Sequence, residues 1–381
     1  MNPEDFRAPE AGRVVRTPGG FFAFVPAPLP PRIVYDEGLA RLLSRADAAL
    51  GELSAMGRQL PNPHLLISSY VRREAVLSSR IEGTKASLAD ILLDETGVQQ
   101  APRENSDVPE VRNYVEALEY GIRRLSRLPL SLRLVREIHK RLMHGVRGGR
   151  ATPGDFRRSQ NWIGPAGSTP STTPYVPPPI DELDGCLGRW EKFLHVRDKM
   201  PDLIQCALIH EQFEAIHPFL DGNGRVGRLL VTLFLIERGR LAQPLLYLSE
   251  YIEANKQGYY EALQRVRTRG DWSGWLRYFL VGVNETARSA VRKAARLMDL
   301  RESLRRRLSA RRNAVRLIDE LFVNPYVTVR RAAELLGVTY PTAKVAVDAL
   351  LRARVLFKVT PREWGRVYLA RPILTAIERA E

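Results

Sequence analysis

Twelve residues, His217–Arg228 (H-P-F-L-D-G-N-G-R-V-G-R), bring together an imidazole, a carboxylate, two guanidiniums and three glycines. Leu203–Ile216 before them has apolar positions at helical spacing, and Leu229–Ile236 after them is nearly continuous apolar sequence that reads as a buried helix. The stretch between is therefore a loop opening into a helix, and the free N–H groups of a helix N-terminus make an anion site. Gly222 and Gly224 flank Asn223, so the backbone can take positive φ and approach a ligand closely. Arg225 and Arg228 are three apart and share a face of the new helix. Asp221 is the one carboxylate of the loop, placed where a divalent cation bridging phosphates could be held. With His217 at its mouth, the loop reads as a phosphate-binding site with a base, a metal ligand and two cationic clamps.

Two other uses of this loop fail on spacing. A calcium loop starting at Asp221 needs a carboxylate at its twelfth position, where Thr232 stands, and the G-K-[ST] of a Walker loop is missing. A lone histidine in a helical region is more often structural than catalytic, but the place of His217 at an anion loop shifts those odds. His210, seven residues earlier on the same face, reads as a core residue. His139, His144 and His195 form no metal-ligand spacing with it.

Stepping outward, Met1 to about Ile33 reads as an irregular leader ending in the extended strap P-A-P-L-P-P-R. Tyr35–Met56 and His64–Glu82 read as helices parted by Pro61–Pro63. The second ends in S-S-R-I-E-G, where Ser78 and Glu82 share a face and Gly83 stops the helix. Taken alone, this is a solvated glutamate beside a capping glycine. Leu88–Leu93, Val108–Leu125 and Leu132–Met143 follow as helices, the last capped by Ser131. After P-G-D-F-R-R-S-Q-N-W-I-G, the Pro-, Ser-, Thr- and Gly-rich stretch Pro165–Pro179 is too short for an interdomain linker and reads as a rigid loop or hairpin. Ile180–His195 returns to helix. Ser249–Val266 contains Y-I-E-A-N-K-Q-G-Y-Y-E-A-L, whose Tyr259–Tyr260 pair reads as helix packing. Gly270–Leu300 is helical, and Arg301–Arg312 is a basic helical connector. Val315–Phe322, Thr328–Leu336 with Thr328 as N-cap, and Tyr340–Arg352 read as three further helices. The tight turn Gly337–Thr339 joins the last two, as in a helix-turn-helix. Strands Val355–Thr360 and Val367–Ala370 around Pro361–Arg366 complete a winged-helix (α+β) domain. Its exposed candidates for DNA are Thr339, Tyr340, Thr342 and Lys344 on the recognition helix, with Arg362 and Arg366 at the wing. Winged helices that bind protein are the alternative.

Charge favours DNA. The formal net charge is +15, and Arg288–Glu381 holds 21 basic against 9 acidic residues, so the rest of the chain is almost neutral. Cys186 and Cys206 lie in expected helices without C-x-x-C spacing and read as buried or partly buried thiols in a reducing compartment. Met1–Gly19 carries Glu4, Asp5 and Glu10 and no apolar run, so a secretory leader is not expected. No uncharged apolar run approaches the ~20 residues that span a bilayer. A soluble, cytoplasmic protein without membrane contact is the expectation.

The twelve-residue loop resembles the signature of the Fic family, H-P-F-x-[DE]-G-N-G-R-x-x-R, at every fixed position. The resemblance implies a mainly α fold, a Fic-type helical core with a small flap hairpin, and transfer of a nucleoside monophosphate, usually AMP from ATP, to a protein hydroxyl. It implies that His217 is the base for a target Ser, Thr or Tyr and that Asp221 holds Mg²⁺ against the α- and β-phosphates. Gly222, Asn223, Gly224 and Gly227 would line the nucleotide, and Arg225 and Arg228 would bind the phosphate tail. The chemistry agrees, because a hydroxyl is a weak nucleophile at neutral pH and imidazole suits the task of activating it. S-S-R-I-E-G is similar to the family's inhibitory motif [ST]-x-x-x-E-[GN]. This implies a brake in which Glu82, with Ser78 and Gly83, pairs with Arg228 and blocks productive binding of the γ-phosphate. In some members the same glutamate positions a water that removes AMP, and both readings stand. Pro165–Pro179 would be the flap that aligns the target's backbone, and Asn255 an adenine-site contact. Self-modification and a homodimer are compatible with the family. The expected divisions are 1–105 (strap and inhibitory helices), 106–285 (core), 286–312 (connector) and 313–381 (winged helix). The rivals are a DNA-binding transcriptional regulator that keeps the fold as a nucleotide sensor, and an enzyme with another nucleotide donor.

Overall fold

A computed structural model describes residues 1–59, 63–97, 107–146, 152–359 and 365–378, with the side chains of 63–66 left aside. The chain opens on an antiparallel hairpin of β1 (Gly12–Arg16) and β2 (Phe22–Pro26), in the register Val14↔Phe24. The leader expected to be irregular is therefore partly sheet. Gly20, at φ +83°, completes the turn, and Ala23, Phe24 and Val25 are buried. The prolines that follow had masked this short apolar run. From 27 to 33 the backbone is without regular structure, as the proline strap requires.

Helices then build the core. α1 (Glu37–Gln59), α2 (Pro63–Ile81), α3 (Leu88–Asp94), α4 (Val108–Leu125) and α5 (Leu132–Leu142) come first. α6 (Ile180–Leu194), α7 (Asp202–Ile216), α8 (Asn223–Glu237), α9 (Ser249–Ala254), α10 (Lys256–Arg269) and α11 (Trp272–Arg307) follow. Ser131 caps α5 by accepting the Leu134 N–H, as read from the sequence. Every residue of α7 from Leu203 to Ile216 is buried, the pattern of a helix enclosed on all sides. It packs between α6, α8 and α11, with Trp190, Phe213, Phe234 and Trp275 filling the space. Cys186 and Cys206 are buried free thiols.

The last segment is α12 (Arg312–Val323), β3 (Tyr326–Thr328), α13 (Val329–Leu336), α14 (Tyr340–Arg352), β4 (Phe357–Lys358), β5 (Val367–Leu369) and α15 (Arg371–Glu378). Its sheet is antiparallel with strand order β3-β5-β4. Thr328 caps α13 by accepting the Arg331 N–H, and Gly337, at φ +65°, makes the turn into α14.

This module is not set apart. One apolar core runs from Val25 to Ile377. Ser69 on α2 donates to the Phe322 carbonyl (2.9 Å), and Arg73 on α2 donates to the Ile377 carbonyl (2.7 Å). The boundary expected at 285/286 falls inside α11, a single helix of 36 residues and about 54 Å. The basic connector is mostly that helix's last turns. No helix among the described residues is long and apolar enough to cross a membrane.

Candidate active site

α7 ends on His217, which adopts the left-handed conformation (φ +48°, ψ +61°). Such a backbone is costly for a non-glycine residue and persists only where its surroundings fix it. Two side chains do so here. Arg157 Nε and Asn161 Nδ2 each donate to the His217 carbonyl at 3.1 Å. Asn161 Nδ2 also donates to the Phe219 carbonyl (2.8 Å). Both residues lie in P-G-D-F-R-R-S-Q-N-W-I-G, a stretch whose role no local pattern revealed.

Asn223 closes the loop from the other side. Its Oδ1 accepts the Phe219 N–H (2.9 Å) and its Nδ2 donates to the Phe219 carbonyl (2.8 Å). The Asn223 side chain therefore holds the loop, and its backbone N–H in the first turn of α8 is the group it offers an anion. His139 braces the same loop from α5. Its Nδ1 accepts the Gly154 N–H (2.9 Å), so Nε2 carries the proton and donates to the Asp221 carbonyl (3.0 Å). The ring stacks on Phe219 at 3.7 Å, and burial lowers its pKa to about 4, which keeps it neutral.

His217 turns Nδ1 inward, 4.0 Å from Glu214 Oε2, and leaves Nε2 as the outward nitrogen. Burial, reinforced by Arg267 and Arg157, pushes its pKa down to about 3. The imidazole is therefore neutral across the physiological range and able to accept a proton.

The two arginines have different surroundings. Arg228 is 2% exposed; its Nε donates to Ser78 Oγ (2.7 Å) and its Nη2 to the Ser78 carbonyl (3.0 Å) and Glu82 Oε1 (2.6 Å). Ser78 and Glu82 thus meet Arg228 as the inhibitory motif implied. Burial opposes the charge on Glu82, but Arg228, and behind it Arg225 and His217, hold its carboxyl below the usual range. Glu82 remains 36% exposed, so the pair has one side open to solvent. Gly224 is required beneath it: a Cβ there would stand 2.3 Å from Glu82 Oε1. Gly227 is as confined, since its Cβ would lie 2.5 Å from Glu214 Oε1. Arg225, read as a second phosphate clamp, faces the interior and donates to Glu110 Oε2 on α4 (3.1 Å). Glu110 was invisible to sequence reasoning because it lies 115 residues away.

Gly222 is left-handed (φ +79°) and Gly83 likewise (φ +95°), so both need glycine. The Asp221 side chain is half-exposed; its Oδ1 accepts the Gly222 N–H (2.6 Å) and lies 3.7 Å from Arg225 Nη2. Asn255 is elsewhere. It sits at the break between α9 and α10, donates to the Tyr251 carbonyl (3.0 Å), and lines a cavity of about 830 Å³ with Arg73, Leu77 and Arg80. Those residues occupy the face of α2 turned away from Ser78 and Glu82, so Asn255 and the Glu82–Arg228 pair lie on different sides of α2. Tyr260 lies on the side of Glu82. It is 45% exposed, and its hydroxyl is raised to about 12 by partial burial and by Glu82 nearby. Tyr259 does pack, with its hydroxyl 2.8 Å from His210 Nε2, and His210 is the core residue the spacing suggested.

The stretch 165–179 is a series of turns closed by one bridge, Ile163↔Tyr175, and the Phe24 N–H of β2 donates to the Val176 carbonyl (2.9 Å). On the C-terminal module, Tyr340 is 56% exposed, Thr339 and Thr342 share a hydroxyl hydrogen bond, and Lys344 is paired with Asp348. Arg366 immediately precedes β5, and Arg362 lies outside the described residues.

This geometry can be set beside known proteins. The family described as Fic/DOC family matches residues 129–235, and that described as Fic/DOC family N-terminal matches residues 40–123. Residues 129–235 are a Fic domain. The protein adenylyltransferase Fic of Drosophila erecta is 31% identical over 121 residues, 30% of this chain and 21% of that protein. Its namesake in Culex quinquefasciatus is 29% identical over 154 residues, 39% of this chain and 27% of the relative. The chain thus spans about a fifth to a quarter of the curated relatives it matches. A Fic family protein from Desulfovibrio desulfuricans G20 superposes with a TM-score of 0.60 at 19% identity, over 90% of this chain and 98% of that one. A Fic domain containing signaling protein from Bacteroides thetaiotaomicron VPI-5482 gives 0.51 at 18% identity, over 68% and 95%. At those identities the likeness is one of fold, and it places the Fic domain in a mainly helical architecture.

Proposed function

We propose that the Fic domain transfers AMP from ATP to a Ser, Thr or Tyr hydroxyl of a protein, and that Glu82 holds the enzyme off. The observation that carries this reading is the neutral His217 fixed at the end of α7, beside a helix N-terminus whose Arg228 is occupied by Glu82. The hydroxyl oxygen forms a bond to the α-phosphorus as its proton passes to His217 Nε2. The bond from the α-phosphorus to the β-phosphate bridging oxygen breaks, and pyrophosphate leaves. The first N–H groups of α8 face the charge that develops on the phosphate. Asp221 would hold Mg²⁺: one half-exposed carboxylate beside an anion site is the donor set this ion takes together with phosphate oxygens and water. When bound, Mg²⁺ supplies neutralisation of phosphate charge. Arg228 binds the phosphate tail once Glu82 leaves, because a guanidinium fork serves one partner well at a time. Asn255 remains the adenine-site contact of this reading, and Tyr260, exposed beside the brake, offers a ring face to a base.

Incubation with α-labelled ATP and Mg²⁺ tests the reading. Label on Glu82→Gly protein, little on wild type and none on Glu82→Gly/His217→Ala is the expected result. Equal labelling of the double variant would sink the base assignment. Nucleotide binding without transfer in any form would favour the sensor reading or another donor.

The C-terminal module supports a second activity. Three helices, a left-handed glycine between α13 and α14, and a three-stranded antiparallel sheet are the parts of a winged helix, and the excess of basic residues suits DNA. In this reading α14 is the recognition helix and presents Thr339, Tyr340 and Thr342.

A further inference from the structure

We infer that the phosphate-binding surface of the C-terminal module is an arginine corner at the far end of α14, and that it takes the backbone of a nucleic-acid duplex. The inference rests on reading the module as a nucleic-acid binder and says where the binding occurs. The cations on α13 and in the first turns of α14 already have carboxylate partners. Lys344 pairs with Asp348, and Arg330 and Arg331 both reach Glu334. The opposite end differs. Arg306 and Arg307 close α11, a four-residue turn follows, and Arg312 and Arg316 rise one turn apart on α12. Arg307 Nη2 donates to the Ala353 carbonyl (2.8 Å) at the end of α14, which brings Arg352 and Arg354 to the same place.

These arginines, and Arg311 in the turn, are exposed. Among the described residues none of them makes an ion pair. The neighbouring acid, Asp319, is held by Arg301 and Arg305. Compensation of helix C-terminal dipoles accounts for one or two cations at an end, not for seven that converge from three helices.

The chemistry of the corner selects among polyanions. Guanidinium forks fit phosphate oxygens in pairs, and a duplex, with its dense charge, rewards several cations with counterion release. Single-stranded binders add aromatic platforms, and membrane-surface segments add an apolar face. The exposed large apolar side chains among the described residues lie elsewhere: Tyr340, Val345 and Val359 in the module, the others outside it. The corner is also about 20 Å from the start of α14, the length of its 13 residues. Phosphate contacts therefore fix a duplex at one end of the helix while Tyr340 and Thr342 are left to meet bases or a second surface.

The test is fluorescence anisotropy of a labelled 25-base-pair duplex of arbitrary sequence, titrated with the full chain from 50 to 300 mM NaCl. In Arg306→Ser/Arg312→Ser/Arg316→Ser/Arg354→Ser protein the slope of log K against log salt should be shallower by about 3 to 4, and affinity at 100 mM should fall by about 100-fold or more. Exposed substitutions should leave the melting temperature in place, and Arg123→Ser/Arg127→Ser, at exposed arginines outside the module, should bind this duplex like wild type. Undiminished binding by the quadruple variant overturns the corner and leaves the module's reading standing. Failure of wild type to bind duplex overturns both. Binding to vesicles of 30% phosphatidylserine that the quadruple variant loses, without duplex binding, overturns the proposal in favour of a lipid surface.

Discussion

His217 holds a backbone conformation that histidine adopts at a cost, and the two donors on its carbonyl are what make that conformation durable. Asn161 is the more telling of the two, because one amide group ties His217 to Phe219 and so sets the entry angle of the loop. Asn161→Ala removes both hydrogen bonds at about 1–3 kcal/mol. Transfer by the Glu82→Gly enzyme should then fall about tenfold or more in kcat while KM for ATP moves little; a loss confined to KM would mean that Asn161 serves nucleotide binding instead. The pH profile carries a separate expectation. Burial, Arg267 and Arg157 lower the His217 pKa to about 3, and Glu82 is among the groups that raise it, so removing Glu82 lowers it further. The base stays deprotonated as pH falls, and kcat of Glu82→Gly should be flat from pH 8 to pH 5. An acid limb inflecting near 6.5, where an unperturbed histidine titrates, would place the base in water or in another residue. The loop itself was legible because its groups are contiguous and their order is their geometry. Arg157, Asn161, His139 and Glu110 were not, because each reaches the loop across 56 to 115 residues by tertiary packing alone.

α2 has a different task at each end. Ser69 and Arg73 hold the C-terminal module, and Ser78 in its last turn and Glu82 just past its end hold Arg228. Midway, Glu74 is buried and accepts from Tyr114 (3.1 Å) and Ser249 on the helices either side. Burial outweighs those hydrogen bonds and raises its pKa to about 7. The native state therefore binds this proton more tightly than the unfolded chain, and stability from this site is present at low pH and lost as pH rises from the unfolded value through 7. Glu74→Gln keeps the shape and a hydrogen-bonding oxygen without the ionisation. Its melting temperature should match wild type near pH 5 and exceed it progressively up to pH 8; a constant difference would mean Glu74 does not titrate on folding. Elements with strong periodicity, such as α5, α7 and α14, could be read from the chain because burial on one or all faces writes itself into residue order. The hairpin at the front was missed because each strand has five residues and leans on Tyr175 and Val176, far away in sequence. The break at Asn255 was equally hidden: neither proline nor glycine marks it.

At the scale of the molecule, charge and packing divide the chain differently. Charge separates a nearly neutral body from a basic end, and the sequence suggested a basic connector between the core and the last module. Packing joins them, because α11 runs unbroken from the Fic domain into the module and α12 lies against α2. Charge reports on partners and says nothing of cores, which is why the basic composition misled about a boundary. A shared core predicts cooperative loss. Phe322 is 1% exposed at the junction, and its carbonyl takes the Ser69 hydrogen bond. Phe322→Ala should cost about 3–5 kcal/mol, and scanning calorimetry should show one transition in wild type and one, at lower temperature, in the variant. Two resolved transitions in wild type, with only the smaller one shifted by the substitution, would show that the module folds on its own and that its contacts with α2 are a docking surface. In the single-transition case one helix, α2, carries both the contacts on the module and the contacts that lead to Arg228, so the two cannot melt apart.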